Sequence, residues 1–123
     1  MVLIDSFGWI EYFLDGPLAN EYASYLEKPS QVLTPTIVIY EVYKKIKRER
    51  GERPALEAVA QMRKTQVVSF HENIALSAAD LSLQSGLPMA DAVVYATAAS
   101  EGCQLASSDP HFKNLPGVIF IGN

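Results

Sequence analysis

Short apolar runs alternate with amphipathic stretches along the chain. Val2-Leu3-Ile4 is a continuous apolar run closed by Asp5, and residues 2–5 read as a strand. Residues 6–14 and 18–27 have apolar positions at helical spacing, separated by the turn Asp15-Gly16-Pro17. Residues 31–34 form a short strand. A long helix then opens at Pro35-Thr36 and runs to about Arg50, ending near Gly51. Its apolar stripe is Ile39, Val42, Tyr43 and Ile46. Residues 54–64 read as a helix, 66–70 as a β-branched strand, and 72–84 as a helix stopped by Ser85-Gly86-Leu87-Pro88. Residues 89–101 form an Ala-rich, nearly all-apolar helix that belongs in the interior. Residues 103–107 and 118–121 are strands, with a short helix over 109–114 between them. This βα alternation predicts a mostly parallel sheet with helices on both faces.

Composition narrows the class. The 123 residues suit one domain over 1–123, and 49% hydrophobic residues with 20% charged ones predict a packed core. The one cysteine, Cys103, has no internal disulfide partner and reads as a buried thiol. Its scarcity and two scattered histidines give no zinc spacing. The strand-like start carries no basic region, and no apolar run reaches spanning length. No signal peptide or membrane helix is expected, and a cytoplasmic protein is. A net charge of -4 argues against a general nucleic-acid binder. Most basic residues, however, fall between Lys44 and Arg53. That stretch reads first as a solvated helix end and second as an edge that tracks phosphates. No Gly-rich phosphate loop and no Gly-x-Ser-x-Gly elbow occurs.

The chemistry lies in four acids: Asp5, Glu41, Asp91 and Asp109. Each alone has a structural explanation. Asp5 and Asp109 stand where helix caps belong, Asp91 lies in a first helical turn, and Glu41 is four residues before Lys45. Together they suggest more. In an open parallel sheet, ligands bind beyond the carboxyl ends of the strands, and all four acids can converge there. Crowded carboxylates repel one another unless a cation joins them, which points to Mg²⁺ or Mn²⁺ held by oxygen ligands. Ser6 and Ser107, each beside a strand-end acid, are candidates to orient a carboxylate, with helix capping as the alternative. His111 reads as a capping or packing residue before a general base, and His71 has no chemical neighbour in sequence.

Asp5-Ser6 followed by Trp9-Ile10-Glu11-Tyr12-Phe13, Glu41 in the long helix, Leu87-Pro88-Met89-Ala90-Asp91-Ala92, and Ser107-Ser108-Asp109-Pro110-His111-Phe112 together resemble a PIN-domain protein of the VapC toxin type. The resemblance covers essentially the whole chain. It implies a three-layer α/β/α fold around a parallel sheet and a Mg²⁺- or Mn²⁺-dependent endoribonuclease. The ligands would be Asp5 and Asp91, with Glu41 and Asp109 completing the acidic pocket. It also implies a homodimer, a cognate VapB-type antitoxin, and a transfer, ribosomal or messenger RNA substrate. Two positions depart from the pattern. Phe7 stands where relatives carry a small polar residue, and Ser107 replaces a frequent Thr while keeping the hydroxyl.

The expected reaction is hydrolysis of an RNA phosphodiester by a water that the cation activates. Its rival is a non-catalytic PIN-like module that binds RNA or protein, with the acids serving as caps. A haloacid-dehalogenase type of phosphatase is disfavoured because it needs a second Asp at the position of Phe7. A receiver domain is disfavoured because its paired acids are missing.

Overall fold

The computed structural model describes residues 1–122, so the last residue of the domain expected over 1–123 lies outside the described residues. Five strands form one sheet: β1 (Val2–Ile4), β2 (Val32–Pro35), β3 (Gln66–Val68), β4 (Gln104–Ser107) and β5 (Val118–Phe120). They lie in the order β3-β2-β1-β4-β5, and every neighbouring pair is parallel. Among the described residues, six helices flank the sheet in a three-layer α/β/α arrangement: α1 (Ser6–Phe13), α2 (Ala19–Leu26), α3 (Thr36–Arg50), α4 (Glu52–Met62), α5 (Glu72–Ser85) and α6 (Met89–Ser100).

The central position of β1 explains its unbroken apolar run. A parallel strand covered on both faces has no solvent side on which to alternate polar residues. Leu3 and Ile4 are fully buried, and Leu3 pairs in register with Leu33 of β2 and Leu105 of β4. Each such side chain contributes about 1.5–3 kcal/mol through burial. The chain starts at the centre, moves outward through β2 and β3, then returns to β4 on the other flank of β1. The strand order therefore reverses between β1 and β4. At such a switch point the loops leave in opposite directions and open a crevice at the carboxyl ends.

α3 buries Val38, Val42 and Ile46, so its core stripe takes in Val38 while the expected Ile39 and Tyr43 are only partly buried; Glu41 lies off that stripe, as expected. Gly51 ends the helix at φ +94°, a conformation that side chains with a Cβ avoid, and α4 starts at once. α6 buries Ala92, Val93, Val94, Ala96, Thr97 and Ala98, in keeping with an interior helix.

The differences from expectation are small and have local causes. α4 begins at Glu52, two residues before Pro54, because a proline in the first turn removes an N–H that would have no helical acceptor anyway. The short helix foreseen over 109–114 is a single 3₁₀ turn, Pro110–Phe112. An unforeseen 3₁₀ turn, Pro29–Gln31, leads into β2. Cys103 is half-buried rather than buried, and burial raises its thiol pKa. Glu11 does more than flank a surface helix: its carboxylate accepts a hydrogen bond from the Leu18 amide at 3.0 Å and ties α1 to the start of α2. Among the described residues, no helix is long and apolar enough to cross a membrane.

Candidate active site

The crevice is built outward from Asp5. This residue follows β1 directly and caps α1, with Oδ1 accepting from the Gly8 amide at 3.2 Å. Because Ile4 pairs with Ala106, the next residue of each strand also lies alongside its neighbour, and Ser107 Oγ donates to Asp5 Oδ2. The same Ser107 oxygen accepts from the Asp109 amide at 3.0 Å. One fully buried hydroxyl thus fixes two acids that are 104 residues apart in sequence.

Gly8 supports this corner through close approach. A Cβ there would stand 2.4 Å from the Tyr22 ring. Only glycine lets that fully buried ring pass so near α1. The Tyr22 hydroxyl then reaches Ser108 Oγ at 2.6 Å and pins the loop that carries Asp109.

Asp109 caps the 3₁₀ turn, with Oδ1 accepting from the His111 amide at 2.9 Å. Asp91 projects from the first turn of α6, where the helix dipole favours a negative charge, and it makes no cap bond. Glu41 comes from the second turn of α3. The expected pair with Lys45 is absent: Lys45 bonds Glu49 at 2.5 Å. Capping therefore accounts for Asp5 and Asp109 but leaves Glu41 and Asp91 without a structural task of that kind.

The charges of these acids reach one another in part: Asp109 bears on Asp5, Glu41 and Asp91, and Asp91 bears on Asp5. Donor atoms within 4.8 Å of one another come from Asp91, Asp109 and His111. Burial pushes the Asp5 carboxyl up to about 6, against the pull of the Ser107 hydroxyl and the Gly8 amide, and the charges of Asp109 and Asp91 push the same way. Asp91 also rises to about 6, first through desolvation and then through Asp109, with a smaller push from Glu41. Glu41 is raised by burial and by Asp109, while the Ser6 hydroxyl favours its charged form. Ser6 thus serves Glu41 rather than its sequence neighbour Asp5. Asp109 repels Asp5, Glu41 and Asp91, and Asp91 in turn repels Asp5 and feels Glu41; an oxygen-rich, net-negative cluster of this kind fits a hard divalent cation.

His111 enters this cluster, which departs from its expected capping or packing role. Its Nδ1 lies 2.9 Å from Asp91 Oδ2 and 3.0 Å from Asp109 Oδ1. Sequence gave a weak hint, since Asp109-Pro110-His111 places the ring two residues from an acid, but only the fold adds Asp91. His71, in contrast, stands before α5 and makes no side-chain cap bond.

Beside Glu41, a cavity of about 230 Å³ is lined by Tyr40, Glu41, Lys44, Lys45 and Arg48. Tyr40 is largely exposed, and Lys44 Nζ sits over its ring at 5.5 Å. Among the described residues, neither Lys44 nor Arg48 has a carboxylate partner. Part of the basic stretch therefore lies beside Glu41.

Among curated proteins, no sequence relative matches. Solved structures of the same fold do. A toxin–antitoxin complex from Klebsiella pneumoniae aligns with a TM-score of 0.82 and 24% identity, over 97% of this chain and 96% of that one. VapC20 of Mycobacterium tuberculosis, a toxin that cleaves the sarcin–ricin loop, aligns at 0.81 and 19%, over 96% and 97%. VapBC2 of Rickettsia felis, bound to DNA from its promoter, aligns at 0.74 and 16%, over 98% and 97%. The PIN domain matches residues 2–118, and the chain belongs to the PIN-domain family.

Proposed function

We propose that the protein is a divalent-metal-dependent endoribonuclease, the toxin of a VapBC-type pair, acting in the cytoplasm. The observation that supports this reading is the approach of Asp5, Glu41 and Asp91 to Asp109 near the switch point, where the charge of Asp109 makes ionisation of each of the other three harder. A fold gains no stability from such crowding, so its use lies in what it binds. A bound Mg²⁺ or Mn²⁺ would supply Lewis acidity, favouring a hydroxide nucleophile and offsetting charge on the phosphate.

The chain's own residues set the stage for that chemistry. Asp5, Asp91, Glu41 and Asp109 would hold the cation. Ser107 keeps Asp5 and Asp109 from swinging apart, and Ser6 steadies Glu41 in its charged form. Lys44 and Arg48 offer cations to the phosphates of an approaching strand. Exposed Tyr40 gives a base a face to stack on, and Phe7 and Met89, both exposed and each two residues from an acid, offer further apolar contact.

A VapB-type antitoxin and a second copy of the chain complete the reading. Structural relatives were solved as toxin–antitoxin complexes. An open groove of about 510 Å³ between α1, α3 and α4 is walled by Tyr12, Phe13 and Ile46 and by Arg50, Glu57 and Gln61, and it suits an amphipathic segment of a partner. α5 exposes Leu76 and Leu83, 60% and 87% accessible, two turns apart on one face, and this face is the candidate contact for a second copy.

The test is cleavage of total cellular RNA by the purified protein with Mg²⁺ or Mn²⁺, with chelator, and with the Asp5→Asn variant alongside. Discrete fragments that vanish with chelator and with the variant support the nuclease. Intact RNA in every lane, with no metal uptake by calorimetry, moves the assignment to a PIN-like module that binds without catalysis.

A further inference from the structure

His111 is at hydrogen-bond distance from two acids, yet the fold does not need its ring there. Packing at the 3₁₀ turn falls to the next residue, Phe112, which is 1% exposed and stacks on Tyr95. Capping uses the His111 backbone amide, not the imidazole. The ring itself is 58% exposed, so burying apolar surface does not explain its position either.

Its geometry matches metal ligation. One donor atom from each of Asp91, Asp109 and His111 lies within 4.8 Å of the other two. In an octahedral site with bonds near 2.1 Å, adjacent donors stand about 3.0 Å apart, the bond length times √2. Nδ1 lies 2.9 Å from Asp91 Oδ2 and 3.0 Å from Asp109 Oδ1, which are two such edges meeting at the imidazole nitrogen. In the Nε2–H tautomer a neutral imidazole presents a lone pair at Nδ1.

We propose that His111 Nδ1 is a ligand of the cation held by Asp91 and Asp109, and that it tunes the pocket toward Mn²⁺ over Mg²⁺. Mg²⁺ keeps oxygen and water ligands, whereas imidazole suits first-row transition ions. The inference rests on the metal half of the nuclease reading and is independent of the substrate.

The experiment needs no RNA. Metal-free wild type, His111→Ala, His111→Asn and Asp91→Asn are titrated calorimetrically with MnCl₂ and with MgCl₂. Pulsed EPR of the Mn²⁺-loaded proteins reads coupling to nitrogen, and thermal melts confirm that each variant folds. Wild type is expected to show nitrogen coupling that both His111 variants lose. His111→Ala should weaken Mn²⁺ binding about tenfold or more, and Mg²⁺ binding by no more than about twofold. Asp91→Asn should weaken both ions. Unchanged or tighter Mn²⁺ binding in the His111 variants, or no nitrogen coupling in wild type, overturns the proposal and makes the ring a counter-ion that the metal displaces. Binding of neither ion by wild type overturns the proposal together with the metal reading.

Discussion

The two halves of the acidic crevice are held in different ways. Asp5 and Asp109 are fixed by the backbone and by Ser107: each caps a helical turn, and one buried hydroxyl touches both. Glu41 and Asp91 cap nothing and are met only by side chains, Glu41 by the Ser6 hydroxyl and Asp91 by the His111 ring. They reach the crevice from two helices, α3 and α6, and their positions follow from how those helices pack. One half is a preorganised floor, and the other is a pair of arms whose repulsion is relieved only by something positive. His111, within reach of Asp91 and Asp109, spans the two. On the proposed reading, a cation bound here would recover the electrostatic cost of gathering these acids, which would link stability to metal affinity.

Several changes break or sharpen that contrast. The largest effect is expected from Asp5→Asn in the floor. Asn remains a good helix cap, so the fold is kept, but a charged oxygen is lost where the cation would sit. RNA cleavage should fall by at least about a hundredfold in a gel assay, a loss of the size seen when a charge-stabilising group is removed. Near-wild-type cleavage in that variant would remove Asp5 from the mechanism.

Ser107→Ala comes next, because it frees the floor without removing an acid. Two hydrogen bonds are lost at a fully buried site, which should cost about 1–3 kcal/mol of stability by chemical denaturation. Metal affinity should fall about 10–100-fold by calorimetry. Ser107→Thr keeps the hydroxyl and should stay much closer to wild type in affinity. Equal losses in both variants would mean that packing, not the hydrogen bonds, is what Ser107 provides.

The pH dependence reports on both halves together. Asp5 and Asp91 have folded pKa values of about 6 against an ordinary 3.8, so between these limits the folded protein binds more protons than the unfolded chain. Their contribution to stability is fully present below pH 3.8 and is lost as pH rises through about 6. With chelator present, this contribution should lower the melting temperature between pH 4 and pH 7, and Asp5→Asn should flatten the fall. Divalent cation should restore stability at pH 7. A metal-free protein whose stability rises across the whole of that window, in wild type and variant alike, would contradict the stored-repulsion picture.

The smallest effect is expected outside the pocket, on the α3 side. Lys44→Ala and Arg48→Ala should each weaken RNA binding modestly and reduce the salt slope of binding by about 1, with metal affinity unchanged. An unchanged salt slope would return the basic stretch to a solvated helix end.

Much of this molecule is written locally in the chain. The unbroken apolar run of β1, the helical-period stripe on α3 and the Ala-rich α6 each impose their own period, so elements and class follow from neighbours a few residues apart. Asp5, Glu41, Asp91 and Asp109 stand out for the same reason: each sits at or near an element boundary or off an apolar stripe. Long-range placement is a different matter. That β1 lies between β2 and β4, that Ser107 therefore bonds Asp5, that Ser6 turns to Glu41, and that Lys45 chooses Glu49 over Glu41 all depend on which surfaces pack, and no local period encodes that. His111 is the clearest case. Its neighbour Asp109 can be read from the chain, but Asp91, 20 residues earlier, meets it only after α6 and the Asp109 loop close on the same edge of the sheet. Local backbone and burial preferences decided the elements and named the acids. The packing of distant segments decided which acids share one electrostatic field, because charges interact through space and not along the sequence.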